Sequence, residues 1–184
     1  MSFYYLLVIV VFWGVTACNS PENKETQKTQ DTPAQNTPVF LFDSIIHYSI
    51  AIEEDTLWGI ERISDKTKEQ RGLIEIVLHE KLDTLLDTTV LNHLPNIGFT
   101  KRHLTNEKTE VLRKVFTAQH MKAAEAPACV PIFRDILVFR LNSKTTGVMK
   151  LCFDCRTHTL DGELIATKYI NQESWALLNK TLKK

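Results

Sequence analysis

Two apolar runs decide the fold of this chain: Cys129-Val-Pro-Ile-Phe-Arg-Asp-Ile-Leu-Val-Phe-Arg-Leu141 and, after a polar turn, Val148-Met-Lys-Leu-Cys-Phe-Asp-Cys155. We interpret them as two alternating apolar strands, bounded by Pro131 and by the polar residues 142–147. Such a pattern predicts an antiparallel β-hairpin with a longer loop. Three cysteines stand at the open end of this hairpin, which we expect to form the core of the folded domain.

The elements around the hairpin predict an α+β domain with a mainly antiparallel sheet. Leu160-Asp-Gly-Glu163 has the composition of a two-residue turn, so the hairpin should extend into a C-terminal β-meander. Thr105 and Asn171 are good helix N-caps in front of apolar stripes at helical spacing. We expect the helices to cover one face of the sheet. The predicted strands are about 135–141, 147–155 and 164–170, and the predicted helices are about 105–117 and 172–182.

The first half of the domain gives weaker signals. Residues 44–51 are rich in β-branched and aromatic side chains and predict the first strand. Residues 64–72 have the composition of a polar loop, and 73–79 predict a second strand, with a helix as the alternative. A short helix is expected over 87–94, before Pro95. The basic run Lys101-Arg102-His103 is interpreted as a solvated face.

Composition excludes several functions. The 184 residues carry a formal net charge of zero, which removes the basic field that nucleic-acid binding normally needs. Six scattered glycines leave no Gly-rich loop to hold a nucleotide phosphate, so no nucleotide cofactor is expected. Neither a G-x-S-x-G elbow nor an H-E-x-x-H helix is present. The sequence therefore favours a protein that is not an enzyme.

The N-terminus has the features of an export signal. Residues 3–17 are almost wholly apolar, and this run is shorter than the roughly twenty residues that span a bilayer. Val15-Thr16-Ala17-Cys18 resembles the lipobox of bacterial lipoproteins, in which the cysteine is acylated and becomes the mature N-terminus. The first five residues depart from the usual pattern because they lack Lys and Arg. The alternative interpretation is an uncleaved membrane helix.

These features divide the chain into three parts: a lipoprotein signal peptide at 1–17, a lipidated Cys18 with a disordered tether at 18–39, and a single α+β domain at 40–184. The tether is expected to be disordered because residues 19–38 carry almost no hydrophobic side chains. Acyl chains such as palmitate at Cys18 would be the membrane partner. The expected location is the cell envelope, on the inner or outer membrane of a Gram-negative bacterium.

The remaining cysteines are Cys129, Cys152 and Cys155, and His158 lies close by in sequence. In an oxidising compartment the first expectation is a disulfide from Cys129 to Cys155 or Cys152. A zinc site built from the three cysteines and His158 is the second, because C-x2-C is the spacing of a zinc knuckle. A thiol-exchange site is a third hypothesis, and a set of buried, inert thiols is a fourth. No cofactor is expected, and zinc is the alternative.

Arg134 and Asp135 lie where the first hairpin strand begins, near Cys155 in the predicted register. A guanidinium and a carboxylate beside sulfur could form a binding pocket. The alternative is a structural ion pair at a strand end.

The last eighty or so residues resemble uncharacterised lipoproteins of Gram-negative bacteria. The resemblance rests on a Cys-x-Pro-x-Phe-Arg-Asp-x-x-x-Phe pattern beginning at Cys129, and on a Lys-x-Cys-Phe-x-Cys pattern beginning at Lys150. It implies membership of a group and no particular activity. We therefore expect a membrane-anchored envelope lipoprotein that acts as a non-catalytic binding or structural module, with a protein or glycan partner. The alternative is a thiol-redox or zinc-binding envelope protein.

Overall fold

The computed structural model describes residues 41–79, 87–116, 129–162 and 170–183. The predicted signal peptide, Cys18 and the tether lie outside these residues. The described elements, in chain order, are β1 Ser44–Ser49, α1 Glu54–Glu61, α2 Lys68–Leu78, α3 Thr88–His93, a 3-10 helix Leu94–Ile97, β2 Thr100–His103, α4 Asn106–Val115, β3 Asp135–Leu141, β4 Lys144–Cys152, β5 Thr157–Gly162 and α5 Gln172–Lys183.

One five-stranded antiparallel sheet organises the described residues, with the strand order β2-β1-β3-β4-β5. The β3–β4 hairpin lies at its centre and confirms the main sequence prediction. Asn142 and Ser143 close this hairpin with φ values of 50° and 66°, as a tight two-residue turn requires. The turn is therefore shorter than the predicted loop at 142–147. The predicted α+β class and C-terminal meander are confirmed.

Helices cover both faces of the sheet, and the expectation of one covered face was wrong. Ile136 and Val138 of β3 pack in a core with α1, α2 and α3, whereas Leu137 and Phe139 pack in a second core with α4 and α5. We call these the α2 face and the α5 face. Four consecutive apolar residues in β3 can all be buried only when both faces are covered. That continuous run was the sequence signal for a three-layer arrangement.

The third strand of the meander is β5, seven residues earlier than the predicted strand at 164–170. Cys152 of β4 pairs with Thr157 of β5, so the chain reverses over residues 153–156. Arg156 adopts φ 50° in this turn, a left-handed conformation that allows a tight reversal. Asp161 and Gly162 are strand residues and do not form the expected turn. Of the predicted strand, 164–169 lie outside the described residues, and Ile170 is buried in the α5-face core.

The predicted second strand at 73–79 and the polar loop at 64–72 were also wrong, because Lys68–Leu78 forms the helix α2. Its N-terminus has a capping box, in which Thr67 accepts from the backbone N–H of Gln70 and Gln70 accepts from that of Thr67. A Thr followed three residues later by Gln is a helix-start signal. The first turn of α2 is polar, so the apolar residues from Leu73 onward were too few to show a helical period by themselves.

The remaining elements lie close to their predicted positions. Thr105 accepts from the backbone of Lys108 at the start of α4, and Asn171 accepts from that of Ser174 at 2.8 Å at the start of α5. Both predicted helices and their caps are confirmed. The basic run 101–103 forms the edge strand β2, which the sequence analysis missed. Its residues are exposed, but the Arg102 guanidinium is bonded to His47 and to the Leu182 carbonyl, so the interpretation of a solvated face was wrong for Arg102.

Candidate functional site

A disulfide between Cys129 and Cys155 closes the open end of the hairpin. The two Cα atoms are 6.0 Å apart, within the roughly 4.4–6.8 Å that disulfides span. Cys129 lies just before β3, and Cys155 lies in the turn between β4 and β5. The bridge therefore fixes the chain entering β3 to the turn at 153–156.

The third sulfur, Cys152, is a free thiol next to this bridge. Its side chain is 1% exposed and packs in a small cluster with Phe133 and Cys155. The Cys152 Sγ accepts the backbone N–H groups of Ile132 and Cys155, both at 3.4 Å. The three cysteines named from the sequence are thus brought together, two as a bridge and one as a buried neighbour.

His158 does not join the sulfurs. It pairs with Leu151 in the β4–β5 register and therefore lies on the α5 face, where its ring centroid is 6.1 Å from that of Trp175. Cys152 is the next residue along β4 and points to the α2 face. In the described part of the chain, no three His, Cys, Asp or Glu side chains are arranged to hold a metal ion. The predicted four-ligand zinc set does not converge.

Arg134 and Asp135 have separate partners, so they do not form the pocket considered from the sequence. Arg134 Nη1 donates to Asp154 Oδ2 at 2.8 Å, and its Nε donates to the Ile52 carbonyl at 3.0 Å. Asp135 instead accepts from His47 at 2.7 Å. Arg134 thus forms a structural ion pair at the start of β3, and its second hydrogen bond connects this strand to the segment that follows β1.

His47 is the centre of a buried network that the sequence analysis missed. Its Nε2 lies 2.7 Å from Asp135 Oδ1, and its Nδ1 lies 3.1 Å from Arg102 Nη2. A guanidinium only donates, so Nδ1 must be the acceptor and the ring proton lies on Nε2, directed at Asp135. Arg102 also donates to the Leu182 carbonyl of α5 at 2.9 Å. Both ring nitrogens are occupied, which leaves His47 without a lone pair to act as a base.

Lys150 is a second buried polar residue, and its side chain is fully enclosed on the α2 face. Its Nζ donates to the carbonyls of Ile76, at 2.8 Å, and His79, and it lies 4.7 Å from the centroid of the Phe133 ring. The carbonyls at a helix C-terminus carry partial negative charge and attract a cation. Lys150 thus attaches β4 to the end of α2. A lysine at an inward-facing position of an alternating strand was the available sequence signal.

A cavity of about 270 Å³ lies between α5 and the turn at 153–156 that carries Cys155. The turn contributes Phe153 and Arg156 to its lining, and α5 contributes Gln172, Trp175, Ala176 and Asn179. The turn residues flank Cys155, so the bridge holds the part of the chain that forms one wall. The sequence analysis named none of these residues as a site.

No family model, curated protein or solved structure matches this chain. Within the described ranges, no helix combines the length and the apolar character that crossing a bilayer requires.

Proposed function

We propose that this chain is an envelope lipoprotein of a Gram-negative bacterium, acylated at Cys18. Its α+β domain is a non-catalytic binding or structural module held at the membrane by the tether at 18–39. The partner is a protein or a glycan of the envelope. Membrane attachment is through the N-terminal acyl chains.

The Cys129–Cys155 disulfide, in a chain whose residues 15–18 resemble a lipobox, is the observation that carries this proposal. Disulfides persist in exported proteins and are rare in the cytosol, so the bridge and the Val15-Thr16-Ala17-Cys18 motif favour the same compartment. The occupied nitrogens of His47 and the structural partners of Arg134 support a role other than catalysis.

Metabolic labelling with an alkynyl fatty acid tests the anchor. We expect the wild-type protein to take up the label and to fractionate with membranes, and Cys18→Ala to do neither. Cys152→Ala is the matched control, because it removes a cysteine of the folded domain and should retain the label. Label on the Cys18→Ala protein would contradict the proposal.

A second candidate function is thiol–disulfide exchange, which the position of Cys152 favours. The Cys152 Sγ accepts the N–H of Cys155, so a nucleophilic sulfur lies beside a bridged one. In the exchange, the Cys152 thiolate attacks the Cys155 sulfur, a Cys152–Cys155 bond forms, and Cys129 leaves as a thiolate. The bridge moves without an external oxidant. Zinc binding by the same residues would require reduction of the bridge and movement of His158.

Disulfide mapping separates the two candidates. If the domain is a binding module, Cys152 should be the only thiol that reacts with an alkylating reagent after unfolding, however long the folded protein has been incubated beforehand. Exchange predicts a growing fraction in which Cys129 is alkylated and Cys152 is bridged to Cys155. A permanently alkylated Cys152 and an unchanged bridge would exclude the exchange.

A further inference from the structure

The cavity between the 153–156 turn and α5 has the chemistry of a ligand site. Of its six described lining residues, Gln172 and Asn179 carry amides and Arg156 carries a guanidinium, beside the rings of Phe153 and Trp175. An amide both donates and accepts hydrogen bonds, which matches hydroxyl groups that do the same. The volume of about 270 Å³ is just below the roughly 300–1,000 Å³ of drug-sized ligand pockets. A single sugar ring is a ligand of suitable size.

The described lining of the cavity carries a positive charge. None of the six described lining residues is acidic, and no described residue forms a hydrogen bond or ion pair with the Arg156 guanidinium. The nearest acidic residue of the turn, Asp154, is paired with Arg134. A second cation, Lys183, lies 5.5 Å from the centroid of the Phe153 ring. A planar guanidinium binds a carboxylate through two parallel hydrogen bonds.

Asn179 supplies an independent indication of a ligand. Its Oδ1 is buried and has no hydrogen-bond partner among the described residues. A buried acceptor without a donor is unfavourable, and such groups are uncommon in folded proteins. Asn179 lines the cavity, and a ligand hydroxyl would provide the donor once the amide turns toward it.

The backbone also places Arg156 at the cavity in a conformation that is costly for arginine. Its φ of 50° is one that glycine adopts more readily, and the adjacent Cys155 is fixed by the bridge to Cys129. A strained non-glycine residue held by a cross-link is a common feature of functional sites.

We propose that this cavity binds a sugar that carries a carboxylate, with Arg156 on the carboxylate and the Gln172 and Asn179 amides on the hydroxyls. The inference rests on the proposed binding role of the domain and assigns it a ligand class. It does not depend on the acyl anchor, so its failure and the failure of fatty-acid labelling at Cys18 are distinguishable.

Titration of the full-length protein, purified in detergent, with N-acetylmuramic acid tests the proposal. N-acetylglucosamine is the matched ligand because it has the same ring without the carboxylate, and lactate supplies the carboxylate without the ring. The indole N–H signals of Trp175 and Trp58 are followed by NMR. Trp58 is an internal control, since its indole donates to Glu54 on α1, outside the cavity. We expect N-acetylmuramic acid to move the Trp175 signal alone, and both other compounds to bind at least about tenfold more weakly.

Two variants identify the site. Arg156→Gly removes the guanidinium and is compatible with the left-handed turn, so it should fold and bind at least about tenfold more weakly. Asn179→Leu should also weaken binding. Lys144→Gln removes one exposed positive charge at the opposite end of the hairpin and should bind like the wild type.

Three results would overturn the proposal: an unmoved Trp175 signal, equal affinity for N-acetylmuramic acid and N-acetylglucosamine, or an Arg156→Gly protein that is folded and binds unchanged. Equal binding of lactate would show a carboxylate site without sugar recognition, which also contradicts it.

Discussion

Each face of the sheet encloses a buried polar network, and the two networks are built by different means. On the α2 face, Lys150 donates to backbone carbonyls of Ile76 and His79. On the α5 face, His47 lies between the side chains of Asp135 and Arg102. The first arrangement joins one strand to one helix end, and the second joins β1, β2, β3 and the end of α5. Removing Lys150 therefore leaves unpaired backbone carbonyls on the α2 face. Removing His47 leaves the nearly buried carboxylate of Asp135 unpaired on the α5 face.

The largest effect is expected on the α5 face. His47→Leu leaves the nearly buried Asp135 carboxylate without its hydrogen-bond donor. A buried charge left uncompensated in this way costs about 3–5 kcal/mol of unfolding free energy. Urea unfolding at neutral pH measures the loss. Asp135→Asn is the matched control: it keeps an acceptor for His47 and removes the charge, so it should lose less. A His47→Leu protein as stable as the wild type would contradict the assigned network.

The disulfide is expected to have the next largest effect. Cys129→Ser opens a cross-link between residues 26 positions apart, and closing a loop of that size stabilises a fold by about 3 kcal/mol. The midpoint of urea unfolding should fall accordingly. Reductant should lower the wild-type midpoint to that of Cys129→Ser and leave the variant unchanged. A wild-type midpoint that reductant does not move would show that the bridge does not stabilise the domain.

On the α2 face, Lys150→Met should cost about 1–3 kcal/mol, because it leaves carbonyls of α2 without a donor but no unpaired charge. The loss should be smaller than that of His47→Leu in the same urea experiment. Met149→Leu is the neighbouring control on the α5 face and should cost less than about 1.5 kcal/mol, since the volume is nearly unchanged. If Lys150→Met is the more damaging change, the comparison of the two faces is wrong.

The smallest effect is expected outside both faces, at Asp43. The Asn142 N–H and the Ser44 hydroxyl both donate to this carboxylate and hold its pKa below the ordinary value of 3.8. The stabilisation is thus fully present above pH 3.8 and is lost as pH falls through the lower pKa of the folded state. The difference in stability between the wild type and Asp43→Asn should shrink as acid is added from pH 5 to about pH 2. A difference that grows with acid would contradict this sign.

Local patterns were sufficient to predict much of the fold. The β3–β4 hairpin is indicated by alternation, and the α4 and α5 helices are each indicated by a cap followed by an apolar stripe. The errors came where a local signal had to be weighed against long-range packing. Whether residues 73–79 pair as a strand or pack as a helix depended on the cap at Thr67, and the position of β5 depended on a left-handed Arg156. The coverage of both faces was indicated by the four consecutive apolar residues 136–139, which an alternating pattern does not explain.

The candidate sites were harder to predict because they depend on residues distant in sequence. His47 and Asp135 are 88 positions apart, and nothing near either residue indicates the other. The cavity combines a turn with a helix that begins sixteen residues after Arg156. The three cysteines were found from the sequence because cysteine is rare enough to be informative by itself. Which two would be bridged required the register of the hairpin.

We propose an exported domain that is acylated at Cys18, and the structure bridges its hairpin base through Cys129 and Cys155. Intact-mass and peptide analysis of the protein from cell envelopes, alkylated before and after unfolding, tests it most directly. We expect a chain that begins at acylated Cys18, with Cys129 bridged to Cys155 and Cys152 alkylated only after unfolding. A chain that retains residues 1–17, with Cys129, Cys152 and Cys155 all alkylated after unfolding without reductant, would contradict it.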